Sequence, residues 1–193
     1  MAQFMAFLSS VEVNGETVLS VLSGMGFLRQ KGLDILERHG IKNPAPGQWY
    51  LQQNWLDAFK EISDDVGVST LVVIGNKIPE NAQFPPEINS LEAALSAIDI
   101  AYHMNHRIDG RVLFNPQTGQ LAEGIGHYGC ERVGDRHIKM VCKNPYPCDF
   151  DRGIIAAMIK RFKPGDSSPT LRHDDAAPCR GRGADSCTFL VDW

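Results

Sequence analysis

Apolar positions recur at helical spacing through most of the first half of the chain and alternate at strand spacing through most of the second. From Thr17, the residues Val18, Leu19, Leu22, Met25, Leu28, Leu33 and Leu36 follow a period of about 3.6 and predict a helix, interrupted at Gly24, Gly26 and Gly32. Trp49, Leu51, Trp55, Phe59 and Ile62 predict an amphipathic helix over 48–65. The run 66–78 leaves two readings open. Val68, Leu71, Val72, Val73 and Ile74 are β-prone, yet the run is long enough for a buried helix ended by Pro79. Ser90 is the predicted N-cap of a helix carrying Leu91, Leu95, Ile98 and Tyr102 to about His106. Ahead of all these, Phe4, Phe7, Val11 and Val13 alternate loosely as a strand before an Asn14-Gly15 turn.

After Gly110 the texture changes. Val112–Phe114, Gln120–Cys130 and Arg136–Lys143 read as strands, the last two joined at Gly134-Asp135. Phe150–Phe162 is a helix (Ile154, Ile155, Met158, Ile159) ended by Lys163-Pro164-Gly165. Thr170–His173 and Cys187–Val191 are two final strands around a polar loop. The pattern predicts an α+β class: N-terminal helices packed on an antiparallel sheet, with one helix inserted between strands. Residues 1–193 read as a single domain: a leading segment (1–16), a helical part (17–107) and a sheet part (108–193). Phe4–Val13 has no evident partner strand, which predicts that 1–16 is a dimerisation segment of a homodimer.

Composition narrows the class. Apolar residues are 43% and charged residues 22%, which excludes a disordered chain. The net charge of −4 and the absence of a Lys/Arg block argue against direct nucleic-acid binding. No run reaches the ~18 apolar residues of a membrane span, and the N-terminus lacks a basic region of the signal-peptide kind. The expected address is the cytoplasm. There a set of five cysteines reads as buried thiols or metal ligands rather than disulfides.

The C-terminal third holds the most specific chemistry. Cys148 opens a helix, Cys179 follows a strand, and Cys187 opens the last strand. On spacing these are either ligands of one tetrahedral ion or three small buried side chains. Tyr146-Pro147-Cys148-Asp149-Phe150, Gly153-Ile154-Ile155 and Cys179-Arg-Gly-Arg-Gly183-Ala-Asp185-Ser-Cys187-Thr-Phe189 resemble the vinyl-4-reductase-like domain. That family includes sensor domains of phenol-responsive bacterial transcription activators, archaeal hydrocarbon-binding proteins and a proposed vinyl reductase of the chlorophyll pathway. Its fold is similar to that of haem nitric-oxide/oxygen sensors. The resemblance implies a structural zinc held by three Cys and one Glu. Cys148, Cys179 and Cys187 match the Cys positions, but the Glu position is Ala176, and His173, Asp174 and Asp175 are the nearby replacements. Cys130 and Cys142 match no ligand position and are expected to be strand thiols.

Tyr102-His103-Met104-Asn105-His106 places two His three apart near one helix face. By itself this is a polar helix end, a pocket lining or a metal-binding pair. The resemblance implies a hydrophobic ligand pocket between helices and sheet, with His103, His106, His127, Tyr102, Trp49 and Trp55 as candidates. It implies a small-molecule sensor for an apolar or aromatic ligand, signalling through a partner protein. The alternative is a haem-based gas sensor with His103 or His106 as axial ligand; a tetrapyrrole reductase comes third. No phosphate loop, nucleophile elbow or dinucleotide fingerprint occurs, so catalysis is not expected. Asp64-Asp65 and Asp149-x-Asp151 read as exposed helix-end charge, and His39 and His137 have no evident partner.

Overall fold

The computed structural model describes residues 3–193. Strand β1 (Val11–Asn14) buries Val11 and Val13 and turns Glu12 and Asn14 outward. Its Asn14 carboxamide caps α1 (Gly15–Gly24), accepting from the Thr17 N–H at 2.9 Å. Near Gly26, at φ 54°, the predicted long helix breaks into a 3-10 turn and α2 (Arg29–Arg38). Then come β2 (Trp49–Leu51), α3 (Gln52–Val66), α4 (Val68–Asn81) and α5 (Leu91–Met104), with Ser90 Oγ capping α5 at 3.2 Å from the Ala93 N. The ambiguous 66–78 run is therefore helix, and Pro79 lies inside its last turn rather than ending it. Trp49 stands on a strand, not on the helix expected over 48–65.

Strands β3 (His106–Ile108) and β4 (Arg111–Val112) complete a first sheet in the order β2-β1-β3-β4. β1 thus has antiparallel neighbours on both sides within its own chain. This removes the argument that the leading segment needs a second copy to pair with. The second sheet takes β5 (His127–Gly134), β6 (His137–Lys143), β7 (Thr170–His173) and β8 (Cys187–Asp192) in the order β5-β6-β8-β7. Helix α6 (Cys148–Phe162) is inserted between β6 and β7, as the sequence predicts. The α+β class and inserted helix agree with expectation; the strands form two four-stranded sheets instead of one.

One apolar cluster runs from β1 and α1 through α3–α5 to α6 and the second sheet. Helices α4 and α6 meet backbone to backbone. A Cβ on Gly75 would lie 2.2 Å from the Phe150 carbonyl oxygen, and one on Gly153 2.3 Å from that of Val72. This crossing fixes the start of α6, where Cys148 sits, against the helical half. No helix among the described residues is long and apolar enough to cross a membrane.

Candidate metal centre

Four separate pieces of backbone bring one cluster together. β7 ends at His173, and the Asp174 N–H continues the ladder to the Thr188 carbonyl at 2.9 Å. Cys179 begins a tight turn in which its carbonyl accepts from the N–H groups of Arg182 (2.9 Å) and Ala184 (3.1 Å). Cys187 opens β8, and Cys148 opens α6 behind Pro147. One ligand atom each from Cys148, His173, Cys179 and Cys187 lies within 4.8 Å of all the others. Sγ of Cys179 is 3.6 Å from that of Cys148 and 3.8 Å from that of Cys187. A tetrahedron with metal–sulfur bonds of about 2.3 Å has edges of about 3.8 Å. The thiols thus already stand at zinc-thiolate spacing.

Among the expected fourth ligands the geometry selects His173. Its Nε2 is buried with no hydrogen-bond partner, while Nδ1 faces Asp175 Oδ1 at 3.3 Å. A free nitrogen toward the thiols and a carboxylate behind the ring is the arrangement of a metal-bound histidine. Asp175 thus stands behind the His173 ring and is not among the four clustered side chains. Asp174 accepts from the Ala176 N–H at 3.1 Å, a local turn that occupies its carboxylate. Cys130 and Cys142 lie on β5 and β6 and are not among the four clustered side chains, although Cys142 is the cross-strand neighbour of Cys187.

Around the sulfurs sits a polar shell that sequence reading missed. Arg180 is buried and donates to Cys187 Sγ from its backbone N (3.3 Å) and Nε (3.5 Å). Its other guanidinium nitrogens pair with Asp151 and Asn144. Asp151 also accepts from the Tyr128 hydroxyl at 2.6 Å and is fully buried, not the exposed helix-end charge expected. Its position three and four residues before Ile154 and Ile155 is the signal that places it on the inner face of α6. Cys187 is pushed down to about 4, first by the hydrogen bond from Cys148 and then by Arg180. Cys148 is pushed up by that same hydrogen bond and by burial.

The histidines of α5 and its exit form a second group. His106 is buried, with Nδ1 donating to the Tyr102 carbonyl (2.7 Å) and Nε2 accepting from the Tyr146 hydroxyl (2.8 Å). Burial pushes its imidazole down to about 4, so it is neutral at pH 7. His103 is fully buried; its Nδ1 donates to the Asp99 carbonyl at 2.8 Å, and Nε2 has no partner. His127 is half-buried between Asp99 (2.9 Å) and Glu123 (3.2 Å). Burial lowers its proton affinity, but hydrogen bonds to the two carboxylates outweigh this and raise it. Tyr102 and Trp55 are core residues in the same region, whereas Trp49 lies apart, 4.6 Å under the Arg107 guanidinium. His39 and His137, without evident partners in the sequence, pair with Glu61 and Asp192.

The expected hydrophobic pocket is not formed between these residues. The Tyr102 ring has His106, Tyr128, His103 and Tyr146 around it at 4.6, 5.3, 5.4 and 6.2 Å between centroids. Phe150 and Phe59 close the layer at 5.3 and 6.3 Å from Tyr146. Two open clefts of about 430 and 360 Å³ lie elsewhere, one lined by Pro79, Glu80, Lys160 and Arg161, the other by His39, Lys60 and Glu61. For haem, the donor is present and the space is not. His106 uses both ring nitrogens, whereas His103 keeps one free, but a porphyrin would have to part the ring layer. As packed, these residues do not fit haem.

Comparison with known proteins adds fold but no family. No protein-family profile matches the chain, and no curated protein matches it, so the vinyl-4-reductase resemblance gains no support. Solved structures do match. An H-NOX protein from S. oneidensis in the Fe(II)NO ligation state shares 12% identity at TM-score 0.65, over 93% of this chain and 98% of that one. A mutant of the T. tengcongensis H-NOX shares 14% at 0.62, over 93% and 96%. The solution structure of the Shewanella oneidensis H-NOX domain in the Fe(II)CO state shares 14% at 0.55, over 91% and 96%. At such identities the likeness is one of fold: from β1 to β8 this chain is built on the α+β architecture of the H-NOX domains.

Proposed function

We propose that this chain is a non-catalytic sensory domain with one structural Zn²⁺ bound by Cys148, His173, Cys179 and Cys187. The carrying observation is the convergence of three thiols and a partnerless, buried imidazole nitrogen from four stretches of backbone. Four protein ligands close a tetrahedral site and leave no position for water chemistry, so the ion's role is to pin α6, the Cys179 turn and the β7–β8 hairpin. The sensory role is supported by the fold shared with H-NOX proteins. Elemental analysis of protein never exposed to chelator tests the metal. One zinc per chain is expected; zinc well below stoichiometry with three freely titrating thiols would reject it.

The sensed group has a second reading. Of the ligand classes considered, haem is favoured over an apolar organic molecule by the fold shared with H-NOX proteins alone, since the rings beside α5 close on one another and as packed leave room for neither. One observation supports haem directly: His103 carries a buried, partnerless nitrogen. Binding then requires the rings around Tyr102 to separate. One absorption spectrum decides. A Soret band lost in His103→Ala and kept in His106→Ala supports haem; colourless protein that takes up no added haemin rejects it.

A further inference from the structure

A second cluster, beside Tyr102, has the composition of a metal site. Ligand atoms of Asp99, His103 and His127 lie within 4.8 Å of one another. Asp99 Oδ2 is 2.9 Å from His127 Nδ1, and the Asp99 carbonyl holds His103 Nδ1 at 2.8 Å, which leaves Nε2 as the nitrogen His103 can give. Adjacent ligands on an octahedral ion with bonds of about 2.1 Å stand about 3.0 Å apart. The two imidazole rings lie 4.9 Å apart at 31°. His103 is wholly buried and its Nε2 has no partner, a state that native interiors rarely leave uncompensated. Glu123 adds a second carboxylate at the solvent edge, 3.2 Å from His127 Nε2. Exposure rises from His103 (0%) through Asp99 (17%) and His127 (35%) to Glu123 (86%), so the cluster reaches from the interior to the surface.

We propose that Asp99, His103 and His127 bind a first-row divalent cation, with Glu123 at the rim and water in the remaining positions. Two imidazoles and a carboxylate form a borderline-hard donor set suited to Fe²⁺, Mn²⁺, Co²⁺ or Zn²⁺ and unlike the thiolate-rich set at Cys179. Two carboxylates offset the ion's charge. Each imidazole gives one nitrogen, His103 its partnerless Nε2. The open positions distinguish this centre from the closed Cys₃His site: it is able to take an exogenous ligand. It is an alternative to haem at His103, since one imidazole cannot serve both.

Co²⁺ titration of the purified, zinc-loaded protein tests the proposal. A second equivalent is expected to bind with weak d–d absorption and no thiolate-to-cobalt charge transfer. His127→Ala, at a half-exposed position, should abolish that equivalent, and Glu123→Gln should weaken it. His39→Ala should leave it unchanged. Imidazole proton signals of two histidines should move under the paramagnetic ion in wild type, which keeps the test independent of any variant's folding. No second equivalent, a second equivalent retained in His127→Ala, or haem ligated by His103 would each overturn it. The Cys₃His zinc reading is tested separately: in zinc-free protein Co²⁺ entering that site should produce intense thiolate charge-transfer bands, and their absence would reject that reading while leaving this one open.

Discussion

At the scale of single residues, the sharpest consequences come from imidazoles whose two nitrogens are fully accounted for or left open. His106 is buried as the neutral ring and pushed down to about 4. The unfolded ring takes its proton at about 6.5, so between these values the unfolded chain binds more protons and stability falls as pH falls. Urea unfolding should show a loss of about 2 kcal/mol between about pH 7 and about pH 5 from this group alone. His106→Gln should remove that part of the slope; an unchanged slope would show that other groups cause it. At the metal centre the expected order is equally specific. Cys187→Ser should lose zinc and on the order of 4 kcal/mol of stability, as when a structural metal is removed. His173→Ala should weaken zinc strongly and Asp174→Ala hardly at all, because only His173 faces the thiols with a free nitrogen. Competition with a chromogenic chelator measures all three, and equal affinities for the two variants would return the fourth ligand to the acidic pair. Cys130→Ser, on the half-buried face of β5, should stay within about 1 kcal/mol of wild type and keep its zinc.

Elements are joined here by close approach as much as by apolar area. The crossing of α4 and α6 depends on Gly75 and Gly153, each facing a carbonyl oxygen of the other helix at a distance no side chain tolerates. Gly153→Ala should therefore destabilise by about 1–3 kcal/mol through overpacking, despite alanine's better helix propensity. Gly129→Ala on β5 is the control, since its new Cβ would meet Val141 at an ordinary 3.5 Å. Thermal denaturation compares the two, and a stabilised Gly153→Ala would contradict the tight crossing. This crossing also explains why 66–78 is helix although its residues favour strands. A strand there would present no groove for α6, whereas a helix offers Leu71, Ile74 and Gly75 on one buried face.

For the molecule as a whole, the buried Asp151–Arg180 pair links the Cys₃His cluster to the strand carrying Tyr128. Burying two charges stabilises only when each is fully paired, so removing one partner costs more than removing both. Arg180→Met should cost about 3–5 kcal/mol, and the double variant Arg180→Met with Asp151→Leu should recover much of it. Chemical denaturation of the four proteins gives the coupling; additive losses would deny that the pair acts as a unit. Zinc affinity should fall in Arg180→Met as well, since two hydrogen bonds to Cys187 come from this residue. Dimerisation loses its structural argument, because β1 is flanked on both sides within one chain.

Much of the fold was legible in the sequence because it depends on neighbours along the chain. The period of Leu91–Tyr102, the Ser90 cap, the Gly134-Asp135 turn and the helix after Cys148 are local facts, set by rotamers, caps and turn residues. The three cysteines stood out by type, and the α+β class followed from the change of period near Gly110. What only the tertiary structure decided is which groups meet. Helical periodicity cannot show that β1 is a central strand or that α4 needs a glycine seam. Spacing alone left His173, Asp174 and Asp175 equivalent, since one rotation of backbone at the end of β7 decides which faces the thiols. Asp151 looked like exposed helix-end charge because its partner Arg180 lies 29 residues away in sequence. The pocket expected beside α5 is filled for the same reason: whether Trp55, Phe59, Tyr146 and Phe150 line a cavity or close it depends on how helices α3 and α6 lean together, a distance no single segment encodes.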